Sequence, residues 1–220
     1  PVEMADLFDV AAVPASDLET FDKRESNFVL VQSAEEMEEL KSLLKSTTEV
    51  SVNLEANSTN PYEARILSLT FGIQPGKAFY VKFSPDREET MKILKELSEF
   101  FENHQKTMIG YNLKFAIIVL AAFGIKVRTQ IFDHLIVHYV IDPESSHDIE
   151  ILTEKYLSYK QLSTGILSAK EGFKDVACEK ADIFLRLKPV LEKITLENNN
   201  AKLINEIENP LVEVLADMEM

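Results

Sequence analysis

Few side chains in this 220-residue sequence stand where they could act together. Asn53 and Glu55 lie two apart in the run Val50-Ser-Val-Asn-Leu-Glu55, and residues two apart on a strand face the same side. They offer one amide oxygen and one carboxylate, hard ligands of the kind Mg²⁺ takes. Asp133, after the apolar Ile131-Phe132, is the best placed further acid. His134 and His138 are four apart on a predicted helix and could present two imidazoles to a metal. His104 and His147 add no ligand spacing, so the reading is one packed histidine and one solvated. Cys178, among apolar neighbours with no His near it in sequence, reads as a core thiol and not a nucleophile. Asn57, Asp142 and Asp148 read as turn or cap residues.

The elements that must position these groups follow from hydrophobic period and punctuation. Residues 1–26 are acidic and weakly periodic and read as an arm or linker. Asn27–Val31 is a first strand. Ser33 with Glu36 forms a capping box, and Met37, Leu40, Leu43 and Leu44 give the stripe of the helix it opens. Val50, Val52 and Leu54 alternate with Ser51, Asn53 and Glu55, which predicts a strand with one polar face. Residues 64–83 predict a β-hairpin turning at Pro75-Gly76. Ser84-Pro85 opens a helix whose core stripe includes Leu94, Leu97, Phe100 and Phe101. Thr107–Gly110 is a short strand. Leu113–Phe123 is a nearly all-apolar helix ended by Gly124. Further helices are expected at 133–141, 148–157, 175–187 and 203–219, with a loop at Asn198-Asn199-Asn200. The sum is one α/β domain with a mixed sheet.

Composition narrows the classes. The chain carries 37 acidic and 23 basic residues, a net charge of −14, and a pI near 4.8. That argues against a free-standing nucleic-acid binder, which needs a basic face. One cysteine excludes a disulfide framework and a zinc ribbon. No apolar run reaches the length of a membrane span, and no basic-then-apolar leader opens the sequence. A reducing, cytoplasmic setting is the expectation. Leu211, Val214, Leu215 and Met218 fall at helical spacing with no stop signal after them, so the last helix is expected to be cut within a longer polypeptide.

Three stretches together resemble one family, the 3′→5′ exonuclease (proofreading) domain of bacterial DNA polymerase I. The first is Val50–Glu55 with the hairpin at Pro75-Gly76, where the family carries Asp-x-Glu. The second is Gly110-Tyr-Asn-Leu-Lys-Phe-Ala116, followed by Gly124-Ile125 and Phe132-Asp133, where the family has Asn-Leu-Lys-Tyr-Asp. The third is Val176-Ala-Cys-Glu-Lys-Ala-Asp182, where the family has Tyr-x-x-x-Asp. Ile207–Leu215 looks like the segment leading into the polymerase domain. The resemblance implies a ribonuclease-H-like mixed sheet flanked by helices over residues 27–200. It also implies that 201–220 begins the helix toward a polymerase domain. It implies two divalent metals held by four carboxylates, one metal activating water and the other stabilising the leaving oxygen, with a Tyr orienting the water.

Matched residue by residue, this sequence departs from that pattern. Asn53 stands at the first Asp, Ala116 at the third carboxylate, Lys180 at the fourth and Val176 at the Tyr; Glu55 alone matches. The four carboxylate positions go from −4 in the family to 0, with Glu55 and Lys180 opposed. Even at a high effective dielectric this costs several kcal/mol per bound metal. The expectation is a vestigial, catalytically inactive exonuclease domain, structural within a family A DNA polymerase of DNA replication and repair, with no cofactor. Its partners are then the polymerase domain of the same parent chain, and DNA through that chain, with the isolated domain a monomer. One alternative is an active exonuclease on single-stranded DNA ends using Mg²⁺ or Mn²⁺ at Glu55 and Asp133. Another is an acidic interaction module whose residues 1–26 dock on a basic partner. Tyr111, Asn112 and Lys114 occupy positions where the family approaches single-stranded DNA, Tyr by stacking and Lys by phosphate contact. A Glu55–Lys180 ion pair replacing the metals is a further expectation.

Overall fold

The computed structural model describes residues 18–20, 26–162 and 172–220. In chain order these form β1 (Glu19–Thr20), β2 (Asn27–Leu30), α1 (Ala34–Ser46), β3 (Glu49–Ala56), β4 (Ile66–Gln74), β5 (Lys77–Lys82), α2 (Arg87–Phe101) and β6 (Thr107–Gly110). Then come α3 (Leu113–Ala122), β7 (Gln130–Asp133), α4 (His134–Ile141), α5 (Ile149–Leu157), β8 (Tyr159–Lys160) and α6 (Gly172–Glu197). The chain closes with α7 (Ala201–Leu203), a π-helical segment (Ile204–Glu208) and α8 (Asn209–Glu219).

The main sheet has the order β2-β5-β4-β3-β6-β7. The hairpin strands β4 and β5 are antiparallel, and β4 is antiparallel to β3; the β2–β5, β3–β6 and β6–β7 pairs are parallel. This is the mixed sheet expected. Period-two alternation divides its faces. Val50, Val52, Leu69, Phe71, Phe79 and Val81 join a buried core with Leu40, Leu94, Phe101, Leu113 and Val212, so α1, α2, α3 and α8 cover one face. The other face carries Ser51, Ser68, Thr70, Gly72 and Ala78, and α6 lies across it. A Cβ on Gly72 would come within 2.2 Å of Ser51 Oγ and 3.1 Å of the Ala181 carbonyl oxygen. The absent side chain thus lets α6 approach the sheet, and Ser51 Oγ donates to the Ala181 carbonyl at 2.6 Å. A second apolar cluster, with Leu152, Ile183, Phe184 and Leu187, ties α4, α5 and α6 together.

Local expectations meet the structure with specific differences. The Ser33/Glu36 capping box is present, and Gly76 and Gly124 take the positive φ their turns require. The α2 helix starts later than Ser84-Pro85 suggested. Asp86 is its N-cap and accepts from the Glu88 and Glu89 amides, while Ser84 Oγ accepts from the Asp86 amide at 3.2 Å and so shapes the turn before the helix. The α6 helix continues past 187 to Glu197, through Pro189. The strand β7 runs through Ile131-Phe132 to Asp133, the strand end at which the sequence places that acid, whereas the two-residue β1 and β8 carry no pattern. They pair in parallel, and Glu19 meets Arg186 of α6 at 3.6 Å. Leu18–Thr20 of the expected arm are therefore docked on the body; residues 1–17 and 21–25 lie outside the described residues. The last helical stretch folds back on the domain, burying Val212 and Ala216. No helix among the described residues is long and apolar enough to cross a membrane.

Candidate active site

Strand β3 places Asn53 and Glu55 on the side that carries Ser51, the side turned to α6. Both residues are half-buried. The Asn53 amide nitrogen is buried without a hydrogen-bond partner. Glu55 accepts from Ser68 Oγ at 2.8 Å across the β3–β4 pair. On α6, Val176 is buried and Lys180, one turn on, is half-buried. Among the described residues Lys180 makes no ion pair within 4 Å, so the expected Glu55–Lys180 pair does not form; Ser68 takes its place. Cys178 is fully buried with Ala177 against Ala78 and Tyr80. Burial pushes its thiol up to about 12, a core thiol with no thiolate at neutral pH.

The third position, Ala116, is a buried methyl in the first turns of α3. That helix is set by Asn112, which takes a left-handed conformation (φ 55°) at its N-terminus. Its cap comes from a distant residue. Asp133 Oδ1 accepts from the Asn112 amide at 3.0 Å, and Oδ2 accepts from the Leu113 amide at 2.6 Å. Oδ1 also accepts from the Leu135 amide at 3.0 Å, capping α4. One carboxylate thus holds two helix N-termini, where a negative charge also meets the positive end of the helix dipole. Burial, opposed by these backbone donors, raises the Asp133 pKa to about 6.

The residues read as strand contacts are likewise engaged. Tyr111 is half-buried, and its hydroxyl donates to the His147 carbonyl at 3.0 Å. Lys114 pairs with Glu219 of α8 at 2.5 Å, beside a contact from the Tyr62 hydroxyl to the Glu219 carbonyl. Asn112 stays exposed and, with Phe115, Ala56 and Asn57–Thr59, lines an open cavity of about 340 Å³ at the carboxyl end of β3. Asn57 is a turn residue, its side chain accepting from the Arg65 amide at 2.6 Å.

Both histidines of the i, i+4 pair are buried, against the expectation that one is solvated. His134 Nε2 bonds the Phe184 carbonyl at 2.9 Å, while its Nδ1 has no partner. Burial holds its pKa down to about 3. His138 meets His147, Nδ1 to Nδ1, at 2.7 Å and the Tyr156 hydroxyl at 3.2 Å. Sequence spacing missed this cluster because His147 comes from the α4–α5 loop.

The model of the 3′-5′ exonuclease family matches residues 28–183, most of the chain. The chain belongs to the 3′-5′ exonuclease family. Its relatives of the same type are whole polymerases. DNA polymerase I of Borreliella burgdorferi is 26% identical over 92% of this chain and 24% of its own length. DNA polymerase I of Pseudomonas aeruginosa is 28% identical over 77% of this chain and 21% of its own. The chain thus spans less than a quarter of the curated relatives it matches. Among solved structures, Brucella melitensis NrnC with bound Mg²⁺ superposes with a TM-score of 0.70 at 17% identity, over 79% of this chain and 86% of that one. The likeness confirms the ribonuclease-H-like fold.

Exonuclease domains of this family use divalent metal, and the donor set here does not fit one. Of the four positions where the resemblance leads one to expect its ligands, one is an amide with its nitrogen buried, one a carboxylate already bonded to Ser68, one a methyl and one an ammonium. Among the described residues no cluster of three or more His, Cys, Asp or Glu could hold a metal ion.

Proposed function

We propose that this is a non-hydrolytic member of the exonuclease family, a structural module of a DNA polymerase I-type chain that braces the polymerase part and does not proofread. The observation that carries the reading is the donor set itself: Asn53, Ala116 and Lys180 where metal-binding acids belong, with Glu55 committed to Ser68. Two divalent ions brought into that site would meet no net negative charge to offset theirs. At ~4 Å and an effective dielectric of ~20, each missing carboxylate forfeits about 8 kcal/mol of attraction to a divalent ion before desolvation is counted. A substitute centre on Glu55 and Asp133 is disfavoured, because Asp133 would have to release the amides of α3 and α4. What the fold retains is the α6-on-sheet packing, which serves stability and not chemistry. On this reading the chain needs no metal, sits in the cytoplasm, and meets DNA through the polymerase part.

The test is incubation with 3′-labelled single-stranded DNA in Mg²⁺ or Mn²⁺. No nucleotide release above a metal-free control is expected. Metal-dependent release at ordinary enzyme rates would overturn the proposal.

A further inference from the structure

In the loop between α4 and α5, residues 142–148, His147 carries two ties to the body. Its Nδ1 meets Nδ1 of His138 on α4 at 2.7 Å, and its carbonyl accepts from the Tyr111 hydroxyl at 3.0 Å. His138 is buried, with its Nε2 3.2 Å from the Tyr156 hydroxyl of α5. The Tyr139 and Tyr156 rings flank the two imidazoles, with centroids 5.3 Å from His147 and 5.6 Å from His138. Tyr111 directly follows β6 and precedes Asn112, so the second tie ends one residue from the cavity at the carboxyl end of β3. These groups lie outside the positions that the resemblance assigns to metal ligands.

A contact between two Nδ1 atoms fixes the number of protons. A nitrogen with a lone pair must face one that carries hydrogen. A neutral pair meets this condition with one N–H···N bond. So does a pair with one added proton, as imidazolium donating to imidazole. A second added proton sets N–H against N–H and charge against charge, and the rings must part. We propose that the His138–His147 pair is a proton-operated latch, which holds the α4–α5 loop and the Tyr111 hydroxyl until it carries two added protons and then releases both. The surroundings oppose the doubly charged pair. Burial first, then the His147 and Lys155 charges, hold His138 down to about 4; Asp142 acts the other way, but it is paired with Lys155 at 3.2 Å. Burial keeps the Tyr156 and Tyr111 hydroxyls protonated, and Asp148 and Asp133 act on Tyr111. From α6 come the apolar Ile183, Phe184 and Leu187, while its Lys188 acts on His134. The inference does not depend on whether the domain hydrolyses DNA.

The test is limited proteolysis of the full chain by a glutamate-specific protease that cuts after Glu144, inside the loop. Rates from pH 7 to pH 5 are divided by those of a free peptide of the loop sequence, which removes the protease's own pH dependence. Cleavage that requires opening follows the open population. The depressed histidine favours the closed loop above pH 6.5 and loses that contribution as pH falls toward 4. The normalised rate is therefore expected to rise about twenty-fold from pH 7 to pH 5. His147→Ala should be cut faster than wild type at pH 7 and show no such rise. Tyr111→Phe removes one tie and keeps the pair, so it should be cut faster at every pH and keep the rise. A flat wild-type profile overturns the proposal, as does a rise that survives His147→Ala or a Tyr111→Phe variant indistinguishable from wild type. A matching rise in cleavage after Glu96, on α2, would mean global unfolding and overturn it too.

Discussion

His134 makes the fold sensitive to acid in a way that can be measured at one residue. Its ring lies between Phe132 and Phe184, with centroids 5.3 and 5.7 Å away. Its Nε2–H donates to the Phe184 carbonyl, so a second proton must go to Nδ1, which is buried and has no partner. The unfolded chain takes up that proton near pH 6.5, whereas burial holds the folded value at about 3. A depressed histidine stabilises the fold above pH 6.5 and loses that contribution as pH falls toward 3. By pH 4 the loss is about 3 kcal/mol. The neighbouring Asp133 runs the other way. Its pKa is raised from 3.8 to about 6, so its contribution is fullest below pH 3.8 and is lost as pH rises through 6, about 2 kcal/mol between pH 4 and pH 7. The wild-type curve alone therefore hides most of the histidine effect. His134→Gln keeps a donor for the Phe184 carbonyl and removes the titration. Urea unfolding of both proteins from pH 7 to pH 4 should give a difference that shifts by about 3 kcal/mol in favour of the variant as pH falls. A difference that stays flat with pH would refute the reasoning, whatever the variant's stability at pH 7.

Three other expectations follow from the packing around the site. Asp133→Ala should lower the free energy of unfolding by about 3 kcal/mol in urea titrations at pH 7, because it strips the caps from α3 and α4. Gly72→Ala should cost about 2 kcal/mol, since the new methyl would displace Ser51 from its bond to α6; thermal melting checks this. Cys178 should stay unreactive toward a thiol reagent at pH 8 in the native protein and react fully in denaturant, its buried thiol being held at about 12.

Much of this was legible in residue order. Alternation in Val50–Glu55 gave the strand and its polar face, and the Pro75-Gly76 turn gave the hairpin. Register between distant segments was not legible. Ser68 lies opposite Glu55 only because β4 pairs antiparallel with β3, so nothing local shows that the carboxylate is bonded there and not to Lys180. Asp133 could be read as an acid after a strand, but its role needs the amides of Asn112 and Leu113, some twenty residues earlier, brought to it by the β6–β7 pairing. The docked Glu19–Thr20 and Tyr159–Lys160 pair was invisible for a similar reason, because two residues carry no period. The residue types at the positions that the resemblance assigns to metal ligands needed no structure, since charge is set by residue type alone.

The central claim is that these substitutions, and not a distorted fold, remove the metals. Paramagnetic titration with Mn²⁺ tests it on the wild-type chain and on the triple variant Asn53→Asp, Ala116→Asp, Lys180→Asp. The account predicts no bound Mn²⁺ at millimolar concentration in the wild type and saturable binding in the variant. Saturable binding by the wild type would contradict it.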